Sequence, residues 1–120
     1  MYRFYNRRPD GDLREDCVCR AISAATGLKY DAVDNLLTLI AQECGCDKLN
    51  VHCYHNLLDG TLCYKRYNAH GATVGELSRR YRDKRLIIRI RGHLTCSLYG
   101  NVADTWDCTE KCADVFWIIE

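Results

Sequence analysis

With 120 residues, 48% hydrophobic and 28% charged, the chain has the size and composition of one globular domain with one core, and its single proline and eight glycines exclude a linker-rich or collagen-like polymer. Seventeen Lys and Arg stand against sixteen Asp and Glu, and the resulting net charge of +1 excludes a global attraction to nucleic acid or to an anionic membrane. No stretch approaches the roughly 18 apolar residues of a membrane span, and the first eight residues lack an apolar signal core, so a cytoplasmic protein is expected.

The polar, aromatic and arginine-rich residues 1–15, with the turn signal Pro9-Asp10-Gly11, read as an extended arm. A first helix starts near Asp16. Its apolar stripe is Val18, Ala21, Ile22 and Ala25, and Gly27 stands where a left-handed cap residue belongs. Asp31 with Asp34 caps a second helix with the stripe Val33, Leu36, Leu37, Ile40 and Ala41, which ends before Gly45. Residues 44–72 mix Cys, His, Tyr and Gly without a clean period and read as loops with one short strand over residues 61–67. Thr73-Val74-Gly75-Glu76 is a capping box and predicts a short helix to about Tyr81.

Leu86 to Arg91 alternates, with Leu86, Ile88 and Ile90 on one face and Arg89 and Arg91 on the other, as in a half-buried strand. His93–Tyr99 and Val102–Trp106 flank Gly100-Asn101 as a hairpin, and Val115–Ile119 forms a last apolar strand. Helices followed by an antiparallel sheet define an α+β single domain over residues 1–120.

Nine cysteines are an odd number in a chain without an export signal, so free thiols are expected in place of a disulfide scaffold. Cys19 and Cys96 fall in apolar patterns and read as small buried hydrophobes. Three segments carry chemistry in the order a thiol hydrolase requires. Asp16-Cys17-Val18-Cys19-Arg20-Ala21-Ile22 opens a helix, Gly92-His93-Leu94 opens a strand, and Asp104-Thr105-Trp106-Asp107 closes the next strand. A thiolate is the reactive form of cysteine, and a helix N-terminus with a nearby imidazole supplies both a field that tolerates negative charge and a group that takes the proton.

The position of the carboxylate depends on the hairpin. With Gly100 and Asn101 as the turn, Ser97 faces Asp104 and His93 faces Cys108; a three-residue loop places Asp107 opposite His93, and a bulge favours Asp104. Asp104 is preferred because Trp106 follows it, with Asp107 as the substitute. Asp16 and Glu15 beside the thiol raise its pKa unless they cap the helix or pair with arginine.

These motifs resemble those of the papain-like cysteine peptidases, in particular the compact forms of phage and bacterial genomes and the peptidase domains of bacteriocin exporters. The likeness runs from Asp16 to about Trp117 and rests on Asp-Cys-x-x-Arg-Ala-Ile, Gly-His-Leu and Asp-Thr-Trp, the last similar to the Asn-Ser-Trp of papain-type enzymes. The resemblance implies a papain-like fold in which the helix bearing Cys17 packs on the sheet bearing His93. It further implies Cys17 as nucleophile, His93 as general base and acid, Asp104 as the residue that orients the imidazole, and Trp106 as a shield for that hydrogen bond. Papain-type enzymes complete the oxyanion hole with a Gln upstream of Cys; here Asn6 is the nearest amide, and Arg14 or Arg20 is an electrostatic substitute. The implied activity is cleavage of a peptide, isopeptide or amide bond in a peptide or protein substrate, without cofactor or catalytic metal, in the host cytoplasm if the chain is phage-encoded.

Other features point elsewhere. Cys44, Cys46, His52, Cys53 and His55, with Cys63 nearby, carry zinc-ligand residue types, but the irregular spacing favours ordinary loop residues. Seven basic residues between Arg79 and Arg91 form a run that is a solvated face or a contact for phosphate or an acidic partner. Tyr2, Phe4 and Tyr5 among Arg3, Arg7 and Arg8 read as an aromatic arm on the core before they read as a base-stacking platform. The alternative to an enzyme is a catalytically silent papain-like domain that binds protein or nucleic acid through the basic run.

Overall fold

The apolar stripe of the first helix decides how the molecule is layered. In the computed structural model, which describes residues 1–11 and 16–119, strand β1 (Tyr2–Phe4) is followed by helices α1 (Cys17–Thr26), α2 (Tyr30–Cys44) and α3 (Val51–His55). Next come one turn of π-helix (Asn56–Thr61), β2 (Arg66–Asn68), α4 (Val74–Arg80), β3 (Arg85–Ile90), β4 (His93–Leu98), β5 (Asn101–Asp104) and β6 (Ala113–Ile118). The six strands form one sheet in the order β1-β5-β4-β3-β6-β2.

Val18, Cys19, Ala21, Ile22 and Ala25 of α1 pack with Val33 and Leu37 of α2, with Cys53, Tyr54, Leu57 and Leu58, and with Ile87, Leu94, Cys96 and Trp117 of the sheet. On the other face Val74 and Leu77 of α4 pack with Leu86, Ile88, Ile90, Val102 and Phe116. The sheet is thus covered on both faces. Truncating Ile22, Leu37 or Leu77, all fully buried, to Ala would cost roughly 2–5 kcal/mol each, since the packed neighbours cannot collapse fully into the space.

The α+β class holds, but the sheet is mixed. β1 comes from the expected N-terminal arm and lies parallel to β5, whereas the other pairs are antiparallel. β3 is buried on both faces because Ile87 points into the α1 layer while Leu86, Ile88 and Ile90 point towards α4. Helix α2 is capped two residues before Asp31: Lys29 is its N-cap, Asp31 lies in its first turn where the dipole favours negative charge, and Asp34 accepts from Lys48 at 2.6 Å. Gly27 and Gly45 terminate their helices with φ of +79° and +67°, and the Thr73–Glu76 capping box closes reciprocally at 3.1 Å each way.

Residues 44–72 depart most from expectation. They contain α3, the π-turn and a strand confined to Arg66–Asn68, held because Cys53, Tyr54, Leu57 and Leu58 bury one side and Trp117 Nε1 donates to Asp59 at 2.7 Å. The hairpin turn is Tyr99-Gly100, not Gly100-Asn101. Both residues have positive φ, +53° and +86°, and Leu98 pairs with Asn101 and Ser97 with Val102. That combination is the primed two-residue turn whose twist suits the flanking strands.

Candidate active site

Counting back from the Tyr99-Gly100 turn brings Thr95 opposite Asp104, with His93 one diagonal step away on the same face of β4. No bulge is needed. His93 Nε2 lies 2.7 Å from Asp104 Oδ2, and Thr95 Oγ1 donates to the same oxygen at 2.6 Å. The Thr105 backbone N–H donates to Oδ1 at 2.7 Å. Burial alone would raise the pKa of this carboxyl, but the bonds from His93, Thr95 and Thr105 outweigh it and hold Asp104 below the usual carboxylate range. Asp107 is elsewhere: it is exposed and accepts from the backbone N–H and hydroxyl of Thr109, which is turn chemistry.

Cys17 is the first residue of α1, and α1 packs across β4, so the helix start meets the start of that strand. Burial pushes the thiol up. The hydrogen bond with His93, the Leu94 backbone N–H and the positive charges of His93 and Arg20 more than reverse this and place the thiol below its ordinary value. For His93, burial disfavours the cation, yet hydrogen bonds with Asp104, Cys108 and Cys17 and the charge of Asp104 raise its pKa to about 11. Since Asp104 occupies Nε2, Nδ1 is the ring nitrogen left to exchange a proton with a thiol.

The acidic residue before the cysteine is neutralised locally. Asp16 pairs with Arg20 one turn along α1, accepts from the Tyr30 hydroxyl, and lies 3.3 Å from Arg8 Nη1. Arg20, itself buried, also approaches Asp104 Oδ1 at 3.8 Å and Thr105 Oγ1 at 3.4 Å, so one guanidinium spans the carboxylates on both sides of the thiol. The Trp106 ring lies 5.0 Å from the His93 ring, tilted by 55°, and remains 40% exposed.

Asn6 lies on the N-terminal arm, near the entry to the site. Its carboxamide oxygen accepts from the Arg8 N–H at 3.1 Å, and it lines a separate cleft with Lys29 and Tyr30. The crevice beside the thiol is lined by Tyr5, Arg7, Cys17, Arg20, Leu94 and Asp104 among others and has a volume of about 10 Å³, room for about one water. Arg14 lies outside the described residues.

The Cys/His run does not gather into one ligand set among the described residues, although Cys44 and Cys46 lie near Cys53 and help burial push its thiol up to about 11. The Cys53 thiol is buried and donates to Leu37 O at 3.3 Å, and His55 sits between Arg66 and Arg89. Burial first, and then those two cations, lower the His55 pKa to about 4. Among the described residues, the group that brings three Cys, His or acidic ligand atoms within 4.8 Å of one another is His93, Asp104 and Cys108. The basic run also fails to form one face, because Arg89 turns to His55 and Asp114 while Arg79 and Arg80 are exposed at the end of α4.

Thr95 and Cys108 are the site residues that sequence reasoning missed. Thr95 had a signal, since it shares the period-2 face of His93; Cys108 had one only in the Gly100-Asn101 register, which set it opposite His93 and which the Tyr99-Gly100 turn replaces. No family model matches the chain, and neither a curated protein nor a solved structure matches it significantly. Among the described residues, no helix is long and apolar enough to cross a membrane.

Proposed function

We propose that the chain is a small thiol hydrolase of papain-like architecture, in which Cys17, His93 and Asp104 cleave a peptide, isopeptide or amide bond. The observation that carries this reading is that one imidazole is bonded at Nε2 by a buried carboxylate, 2.7 Å away, while it also hydrogen-bonds a thiol of lowered pKa at a helix start. A structural histidine needs only one such partner; a base that must accept a proton and keep its orientation needs both.

The Cys17 thiol passes its proton to Nδ1, and the thiolate attacks the carbonyl carbon to form the S–C bond of a tetrahedral intermediate. The N–H groups at the start of α1 that lack an intrahelical partner are the donors available to the developing oxyanion. The imidazolium returns the proton to the leaving nitrogen as the C–N bond breaks, which yields an amine and a thioester. Water then attacks the thioester with His93 as base, releasing the carboxylic acid and restoring the thiol. Asp104 keeps Nε2 protonated throughout, and Thr95 and Thr105 fix the carboxylate.

A thiol-reactive probe with peptide mapping tests the proposal, combined with turnover of fluorogenic peptide and isopeptide amides. Selective labelling of Cys17 that disappears in His93→Ala, with turnover lost in Cys17→Ala, is expected. Equal slow labelling of the exposed Cys44, Cys63 and Cys112 with no preference for Cys17 would refute it.

A further inference from the structure

Cys108 is a fully buried thiol that the hydrolytic cycle does not use, and it lies against the same carboxylate as His93. Its Sγ is 3.8 Å from Asp104 Oδ2, and it also hydrogen-bonds His93. We propose that His93, Asp104 and Cys108 form a binding site for a thiophilic divalent cation, with zinc as the representative ion.

The donor set is one imidazole, one carboxylate and one thiolate, the three ligand types that zinc takes. A tetrahedral zinc with ordinary bond lengths separates neighbouring N, O and S ligands by roughly 3.3–3.6 Å. Here the sulfur–oxygen separation is 3.8 Å and the nitrogen–oxygen separation 2.7 Å, within a group whose ligand atoms all fall inside 4.8 Å. One edge of the tetrahedron is nearly formed, and another opens by a small movement of the His93 ring, whose outer side is covered by the half-exposed Trp106.

The carboxylate is already aimed. Thr95 and the Thr105 N–H hold it, as second-layer donors hold metal ligands, and Arg20 approaches the other oxygen, Oδ1, so it does not occupy the side facing the sulfur. Two anions, Asp104 and a Cys108 thiolate, would repel strongly in this buried position, and a divalent cation between them removes that cost. Coordination by Nε2, Oδ2 and Sγ sends two protons to solvent, one from the Cys108 thiol and one from Nε2.

A consequence for activity rests on the hydrolase reading. With Nε2 bound to metal, the neutral ring carries its proton on Nδ1 and cannot accept the proton of Cys17. The cation therefore acts as a reversible inhibitor.

The test is direct zinc titration against a chromogenic chelator, in a chain whose Cys44, Cys46, Cys63 and Cys112 are Ser, together with cobalt(II) spectroscopy. One ion per chain and a thiolate-to-cobalt charge-transfer band are expected. Cys108→Ser and Cys108→Ala should each weaken binding roughly 100-fold and abolish the band, while both metal-free variants still unfold cooperatively. Binding that is unaffected by either Cys108 variant, or no binding at micromolar zinc, overturns the proposal. Because the titration needs no turnover, Cys108-dependent binding in a chain with an inert Cys17 would sink the hydrolase reading and leave the metal site standing.

Discussion

Thr95 and His93, two residues apart on β4, converge on a single oxygen of Asp104, at 2.6 and 2.7 Å. The threonine hydroxyl thus sets the position of the carboxylate that sets the position of the imidazole. Thr95→Val keeps the shape and removes the donor, leaving a buried charge one hydrogen bond short. A loss of about 1.5–3 kcal/mol in urea unfolding is expected, with a smaller fall in Cys17 alkylation rate. Unchanged stability would mean that the carboxylate does not depend on this bond.

Cys17 reactivity should depend on pH in a way that identifies its partner. The thiol lies below its ordinary pKa because the His93 and Leu94 contacts outweigh burial. In His93→Ala the burial remains and the bond and charge of His93 go, leaving only Leu94 and Arg20 to oppose it, so the midpoint of the alkylation rate should move to higher pH. Each unit of displacement lowers the thiolate fraction at neutral pH tenfold. An unmoved midpoint in rate–pH profiles measured by mass spectrometry would contradict the pairing.

The same pair couples stability to pH. His93 is raised to about 11 in the folded chain, so its contribution is fully present below its unfolded pKa of about 6.5 and is lost as the pH rises through the folded value. Asp104 is lowered, so its contribution is present above the unfolded carboxylate pKa of about 3.9 and is lost as the pH falls through the folded one. The Tm difference between the natural chain and His93→Gln should therefore be largest between about pH 4 and 6.5, where both contributions are complete, and shrink as the pH rises towards 11 or falls below 4. A difference that is constant with pH would show that packing alone accounts for the loss.

Gly100 combines a φ of +86° with a close approach: a Cβ there would meet Arg82 Cβ at 3.1 Å. Gly100→Ala should cost about 1–2 kcal/mol through the left-handed backbone alone. Thermal unfolding should show a drop of several degrees. Since the turn fixes which residues of β4 and β5 face each other, slower Cys17 alkylation is expected as well.

The sequence made local periodicity legible and left long-range pairing obscure. The stripe of α1, the glycine caps at Gly27 and Gly45 and the Thr73–Glu76 box could all be read because each involves residues within a few positions. The β1–β5 pair joins Tyr2 to Val102, which no window of residues reveals. In residues 51–61 the buried Cys53, Tyr54, Leu57 and Leu58 do repeat at helical spacing, but interleaved His and Asn broke the pattern. The order Cys17, His93, Asp104 was readable as a motif; the choice of Asp104 over Asp107 turned on a one-residue difference in the hairpin, and Tyr99 in a left-handed conformation gave no clear signal of it.

Tyr2 to Phe4 lie along β5, with the Tyr5 N–H and the Tyr2 hydroxyl both donating to the Asp104 carbonyl oxygen. Tyr2 to Phe4 are thereby the outer neighbours of residues made about a hundred positions later. While the chain is still emerging, the first strand has no ladder to join and the thiol has no imidazole, because neither His93 nor β5 has yet been synthesised. A nascent chain therefore carries an ordinary cysteine, and chemistry at that sulfur begins only once β5 has been made and β1 has joined it.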